Sequence, residues 1–128
     1  MSRRKFVILC VDDEPISLLV RSKVLETAGH DVIPVSSGSD ALKTLQTQPV
    51  DLVLTDLLMP NMTGVELTRA IKRIKPDLPV IMFSGVNELP QEELLADVFL
   101  SKLEGPEILC ETVAEVLRRS SCARVEAG

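Results

Sequence analysis

Short apolar runs alternate along the chain with longer stretches whose apolar residues recur every three or four positions. Phe6 to Val11, Asp31 to Val35, Leu52 to Thr55, Pro79 to Phe83 and Val98 to Leu100 are the short runs. Most are unbroken and rich in β-branched residues, the pattern of strands covered on both faces. Between the first two, Pro15 suits a first helical turn and Ile16, Leu19, Val20, Val24 and Leu25 repeat at helical spacing until Gly29, which predicts a helix over 15–28. Ser36-Ser37-Gly38 reads as a turn and cap before Ala41, Leu42 and Leu45, and that helix ends near Gln48-Pro49, because a residue before proline is pushed out of the helical region. Val65, Leu67, Ile71 and Ile74 mark a third helix closed by Pro76. Pro90 interrupts the weak pattern that follows Gly85, so only a short fourth helix is expected, roughly over 90–96. Gly105-Pro106 opens a last one carrying Ile108, Leu109, Val113, Val116 and Leu117. After Arg119 the chain turns to Ser, Ala and Gly, which predicts a folded domain over 1–119 and a flexible C-terminal tail over 120–128.

Strand and helix alternating through short connections implies a parallel sheet with right-handed crossovers and helices on both faces. Five such units fit a doubly wound, flavodoxin-like α/β fold with strand order 2-1-3-4-5. All strands of a parallel sheet end on one edge. Asp12-Asp13 follow the first strand, Asp56 the third, Ser84 the fourth and Lys102 the fifth, so these groups converge there. The two acidic sites flank the point where strand order reverses, the usual ligand crevice of such sheets.

At 128 residues the chain is one domain, able to bury roughly two thirds of its unfolded surface without disulfides. Three cysteines in unpaired spacing argue for reduced thiols and a cytoplasmic setting. No signal peptide or membrane span is expected, since no apolar run is long enough. A net charge of −5 with three aromatics, all Phe, leaves little material for phosphate neutralisation or base stacking, which argues against direct nucleic-acid binding.

Taken singly, each polar group has an ordinary explanation. Asp12-Asp13-Glu14 could satisfy a helix N-terminus, Asp56 a turn, Ser84 a loop and Lys102 the solvent. Jointly they make a site for phosphoryl transfer. Crowded carboxylates repel one another unless a divalent cation sits among them, and hard oxygen ligands suit Mg²⁺. Asp13 and Asp56 are the expected direct ligands, with Asp12 acting through water or a hydrogen bond and the Leu58 backbone carbonyl completing the set. Asp56 is the expected nucleophile, and Lys102 and Ser84 can stabilise the transferring charge. His30 precedes the second strand, on the opposite edge, so no histidine is available as a general base. That favours phosphoryl acceptance over hydrolysis, and since nothing beyond the acceptor site suggests a substrate pocket, no enzyme acting on an external substrate is expected.

FVILCVDDEP with its acidic pair, DLVLTDLLMPNMTG, VIMFSG and DVFLSK together resemble the receiver domain of two-component response regulators, over essentially all of residues 5–119. The resemblance implies Mg²⁺-dependent phosphorylation of Asp56 by a phosphohistidine on a histidine kinase or histidine phosphotransfer protein. It also implies a switch in which Ser84 moves toward the phosphoryl group while Phe99 rotates inward, remodelling the surface of the fourth helix, fifth strand and last helix. A downstream effector and a homodimer are left open by it. The other reading is a receiver-like interaction module that works without phosphate. Three features depart from the family pattern. Lys102 is followed by Leu-Glu-Gly before Pro106 rather than directly by proline, so the loop is longer and the lysine is expected to be less rigidly held. The stretch from Ser84 to Lys102 is about one helical turn short, and Leu95-Ala96 replaces the common Gly-Ala. The chemistry is thus expected to be intact, while recognition through the fourth helix is unusual.

Overall fold

The computed structural model describes residues 5–85 and 96–127, with side chains as far as Ser120. β1 (Val7–Val11), β2 (Asp31–Val35), β3 (Leu52–Asp56), β4 (Val80–Ser84) and β5 (Val98–Ser101) form one parallel sheet in the order β2-β1-β3-β4-β5. This is the doubly wound order expected from the alternation. α1 (Pro15–Thr27), α2 (Gly38–Thr47), α3 (Gly64–Ile74) and α4 (Pro106–Ala127) are the helices of the described residues. The short helix expected over 90–96 falls almost wholly outside those residues.

Alternation along the strands divides the core in two. Ile8, Cys10, Leu52, Leu54, Ile81 and Phe83 face one way and pack with Leu25 of α1 and with Leu109, Val113 and Leu117 of α4. Leu9, Val11, Val53 and Val80 face the other way, against Ala41 and Leu45 of α2 and Leu67 and Ile71 of α3. Cys10, in the first of these layers, is a free thiol that burial pushes up to about 12, so it is chemically inert in the fold.

Local chemistry sets most helix ends where the sequence suggests. Glu14 caps α1 by accepting the Ile16 N–H, and Gly29, at φ +101°, lets the chain leave through paired bonds from Gly29 N to Glu26 O and His30 N to Leu25 O. The Ser37 hydroxyl accepts the Asp40 N–H at the start of α2, and Thr63 with Glu66 forms a capping box on α3.

Two features differ from the sequence expectation. α4 does not fray after Arg119; its helix continues to Ala127, because nothing between Ser120 and Ala127 breaks a helix, Gly and Pro being absent there. The apolar stripe of α1 is also split. Ile16, Leu19 and Val20 are 71%, 58% and 56% exposed, while Leu25 is buried and Leu18 and Val24 pack partly against the core. The inward stripe is Leu18, Arg21, Ser22 and Leu25, at the i, i+3, i+4, i+7 spacing of one helix face.

Carboxylates on the far edge of the sheet are structural. Asp51 accepts the Val7 N–H at 2.8 Å, and Asp97 accepts the Val80 N–H at 2.7 Å while pairing with Lys72 at 2.9 Å. These tie the starts of neighbouring strands together. Asp51 and Asp56 bracket one strand, and only the second lies at the edge where the strands end.

Candidate functional site

The register carries the site. Val11 pairs with Thr55, Asp56 with Phe83 and Ser84 with Ser101, so the residues that end each strand meet at one edge. Asp12 continues β1, its N–H donating to Val35 O at 3.2 Å. Asp56 ends β3 in a backbone that cannot shift easily: the Leu57 N–H donates to Phe83 O at 2.9 Å, and Leu57 O accepts the Gly64 N–H at 2.7 Å. α3 therefore starts hard against the strand end. A Cβ on Gly64 would lie 2.4 Å from the Asp56 carbonyl oxygen, so only glycine allows this approach. Between them Asn61 adopts φ +71°, a conformation Asn tolerates better than most residues.

Asp12, Asp13 and Asp56 each offer a carboxylate oxygen, and these oxygens all lie within 4.8 Å of one another. Asp12 and Asp56 are buried and Asp13 is exposed. The Lys102 ammonium reaches Asp56 Oδ1 at 2.8 Å. It does so although the expected loop geometry made its hold less certain, because Ser101 organises the extra residues. Ser101 Oγ accepts the Leu103 N–H at 3.1 Å, Ser101 O accepts the Glu104 N–H at 3.1 Å, and the Lys102 N–H donates to Ser84 O at 2.9 Å. Ser84 is buried at the same edge. Phe99 is half-buried and packs beside Leu57, Val65 and Met82, on the face where the ordinary core reading would also place it.

The electrostatics fit a cation. Burial raises the Asp56 carboxyl above the ordinary carboxylate range, and the Lys102 ammonium opposes that rise without cancelling it. Asp56 Oδ1 has the Lys102 ammonium at 2.8 Å as its ion-pair partner. A buried carboxylate next to two more offers the hard oxygen donors that a small dication takes. The Asp12 oxygens are differently placed: Oδ1 accepts the Glu14 N–H at 2.9 Å, and Oδ2 accepts Arg21 Nη1 at 2.9 Å. The helix-terminus reading of the acidic run thus holds for Glu14 and partly for Asp12.

Arg21 is the residue that the sequence reading passed over. A guanidinium on the inward stripe of α1, between Leu18 and Leu25, needs a buried partner, and that stripe becomes visible only once the sheet has taken its side of the helix. Beside it, an open groove runs along α1 to the end of β5, lined by Ile16, Val20, Phe83, Lys102, Pro106 and Leu109.

Comparison with known proteins places this arrangement in context. Residues 8–114 match the family model of the response regulator receiver domain. The alkaline phosphatase synthesis transcriptional regulatory protein PhoP of Bacillus subtilis is 33% identical over 120 residues, covering 91% of this chain and 50% of that protein. The sensor histidine kinase RcsC of Salmonella typhimurium is 34% identical over 123 residues, covering 92% of this chain and 13% of the kinase. Among solved structures, a response regulator receiver domain protein of Clostridium thermocellum superposes with a TM-score of 0.85 at 28% identity, covering 92% of this chain and 98% of that one. The chain thus spans half the length of the Bacillus regulator and a small part of the kinase.

Proposed function

The chain belongs to the family of response regulator receiver domains, and from that premise we propose that it is a phosphorylatable signalling switch with Asp56 as acceptor. The observation that carries this is the convergence of three carboxylates, their oxygens within 4.8 Å, on a buried Asp56 already paired with Lys102. A carboxylate needs no deprotonation to attack. An Asp56 oxygen forms a bond to phosphorus in line with the bond to the donor nitrogen, which breaks and leaves its electron pair on the donor imidazole. Mg²⁺, held by Asp13, Asp56 and the Leu58 carbonyl with Asp12 behind them, would neutralise the phosphoryl oxygens during transfer.

The remaining steps belong to the chain's own residues. Lys102, now paired with Asp56, turns to a phosphoryl oxygen as charge builds there. In this reading Ser84 donates its hydroxyl to another and Phe99 moves into the space this leaves, coupling the site to the surface of β5 and α4. The phosphodonor is a phosphohistidine on a histidine kinase or histidine phosphotransfer protein. Exposed Ile16, Leu19, Val20 and Leu103 near the site suit a protein donor better than a small molecule, since apolar side chains around a charged centre are the anatomy of a docking surface. None of the described helices is long and apolar enough to cross a membrane, in keeping with a cytoplasmic role. The chain acts as acceptor and signal, not as an enzyme on an external substrate.

Incubation with acetyl phosphate and Mg²⁺ tests the reading. Intact mass should rise by one phosphate, and the gain should vanish in EDTA and in Asp56→Asn. An unphosphorylated wild type under these conditions would leave only the docking-module reading.

A further inference from the structure

Arg21 is 12% exposed, its Nη1 lies 2.9 Å from Asp12 Oδ2, and its guanidinium carbon sits 4.3 Å from the centre of the Phe83 ring. Because the Glu14 N–H occupies the other Asp12 oxygen, both oxygens of this carboxylate already have protein partners. We infer that Arg21 is a built-in counter-cation, a positioning residue that holds Asp12 and competes with the divalent ion for it. This rests on the metal site proposed above.

Three physical points carry the inference. Arginine keeps its charge at any accessible pH, so the guanidinium cannot yield by losing a proton when a dication arrives; it must move or share. Movement is resisted, because the planar group is seated on an aromatic face and buried along a helix whose ends are capped. Charge is also already close to balance. Asp12, Asp13 and Asp56 bring three negative charges, and Lys102 and Arg21 return two positive ones, the Arg21 charge reaching Asp56 as well as Asp12. An incoming dication therefore finds a site with one uncompensated charge rather than two. The metal-free site is correspondingly less repulsive, and affinity for Mg²⁺ is held down.

Arg21→Met keeps an unbranched side chain on Phe83 and removes the charge. Calorimetric titration of Mg²⁺ into the full chain should give a Kd lower by at least about fivefold for Arg21→Met, the effect of partly relieving one charge contact near a protein surface. Arg21→Lys, which keeps the charge but loses the planar fork, should fall between the two. Thermal unfolding followed by far-UV circular dichroism adds a readout that simple packing would not move. Arg21→Met should be less stable than wild type in EDTA and should gain more from Mg²⁺. A merely structural arginine would lower both midpoints equally. If wild type binds Mg²⁺ and Arg21→Met binds it equally or more weakly, the competition is refuted while the metal site stands. Should Arg21→Met fail to fold, Arg21→Gln, which also removes the charge, takes its place, and an affinity equal to or weaker than wild type refutes the competition in the same way. Binding by the variant alone would support it, and binding by none of the three proteins would remove the metal site and this inference together.

Discussion

At the scale of single residues, the decisive conflict is at Asp56, where burial disfavours the charge that the chemistry needs. The folded chain holds this proton at pH values where the unfolded chain, with an ordinary carboxyl at 3.8, has released it. Stability therefore falls as pH rises from the ordinary carboxylate value through the raised one. Asp56→Asn removes both the titration and the buried charge. In metal-free buffer it is expected to be more stable than wild type at neutral pH by on the order of 1 kcal/mol, the scale of single substitutions. The difference should shrink as pH is lowered toward the ordinary carboxylate value, read from urea midpoints across pH. An Asn variant less stable at neutral pH would show that the Lys102 ion pair outweighs burial. Sequence made Asp12, Asp13, Asp56 and Lys102 legible because a parallel sheet delivers every strand end to one edge. Arg21 escaped because a single basic residue in an apolar helix looks like a solvated position until the inward stripe is known.

At the scale of elements, α1 and α3 do most to shape the site. α1 carries two apolar stripes, and periodicity alone could not say which one the sheet would take. The sheet takes the stripe of Leu18 and Leu25, leaving Ile16, Leu19 and Val20 outward. α3 begins so close to β3 that its first residue must lack a Cβ. Gly64→Ala is expected to destabilise the fold by about 1–3 kcal/mol, the range for overpacking against fixed backbone, whereas Gly105→Ala, with nothing within 4 Å of the added carbon, should be near neutral. Chemical denaturation of both variants checks this; equal midpoints would mean that α3 can retreat from the strand without penalty. The last helix runs further than its composition suggests. Small and polar residues after Arg119 suggest fraying, yet no Gly or Pro before Gly128 ends the helix.

At the scale of the whole molecule, strand order was the most legible property. Five strands joined by short helical connections leave few alternatives once crossovers are right-handed. The two-layer packing followed from the same pattern, since alternate residues of fully buried strands must face opposite helical layers. Chain topology also separates the two aspartates of DLVLTD: Asp51 ties β3 to β1 at the far edge, and Asp56 opens onto the switch point between β1 and β3, where the proposed chemistry lies. The same topology predicts where a phosphoryl group will be found. After phosphorylation with acetyl phosphate and Mg²⁺, borohydride reduction should convert the acyl phosphate to homoserine, and peptide mapping should find that change at position 56. Conversion at position 12 or 13 with residue 56 untouched, or a phosphate that borohydride does not remove, would contradict the account.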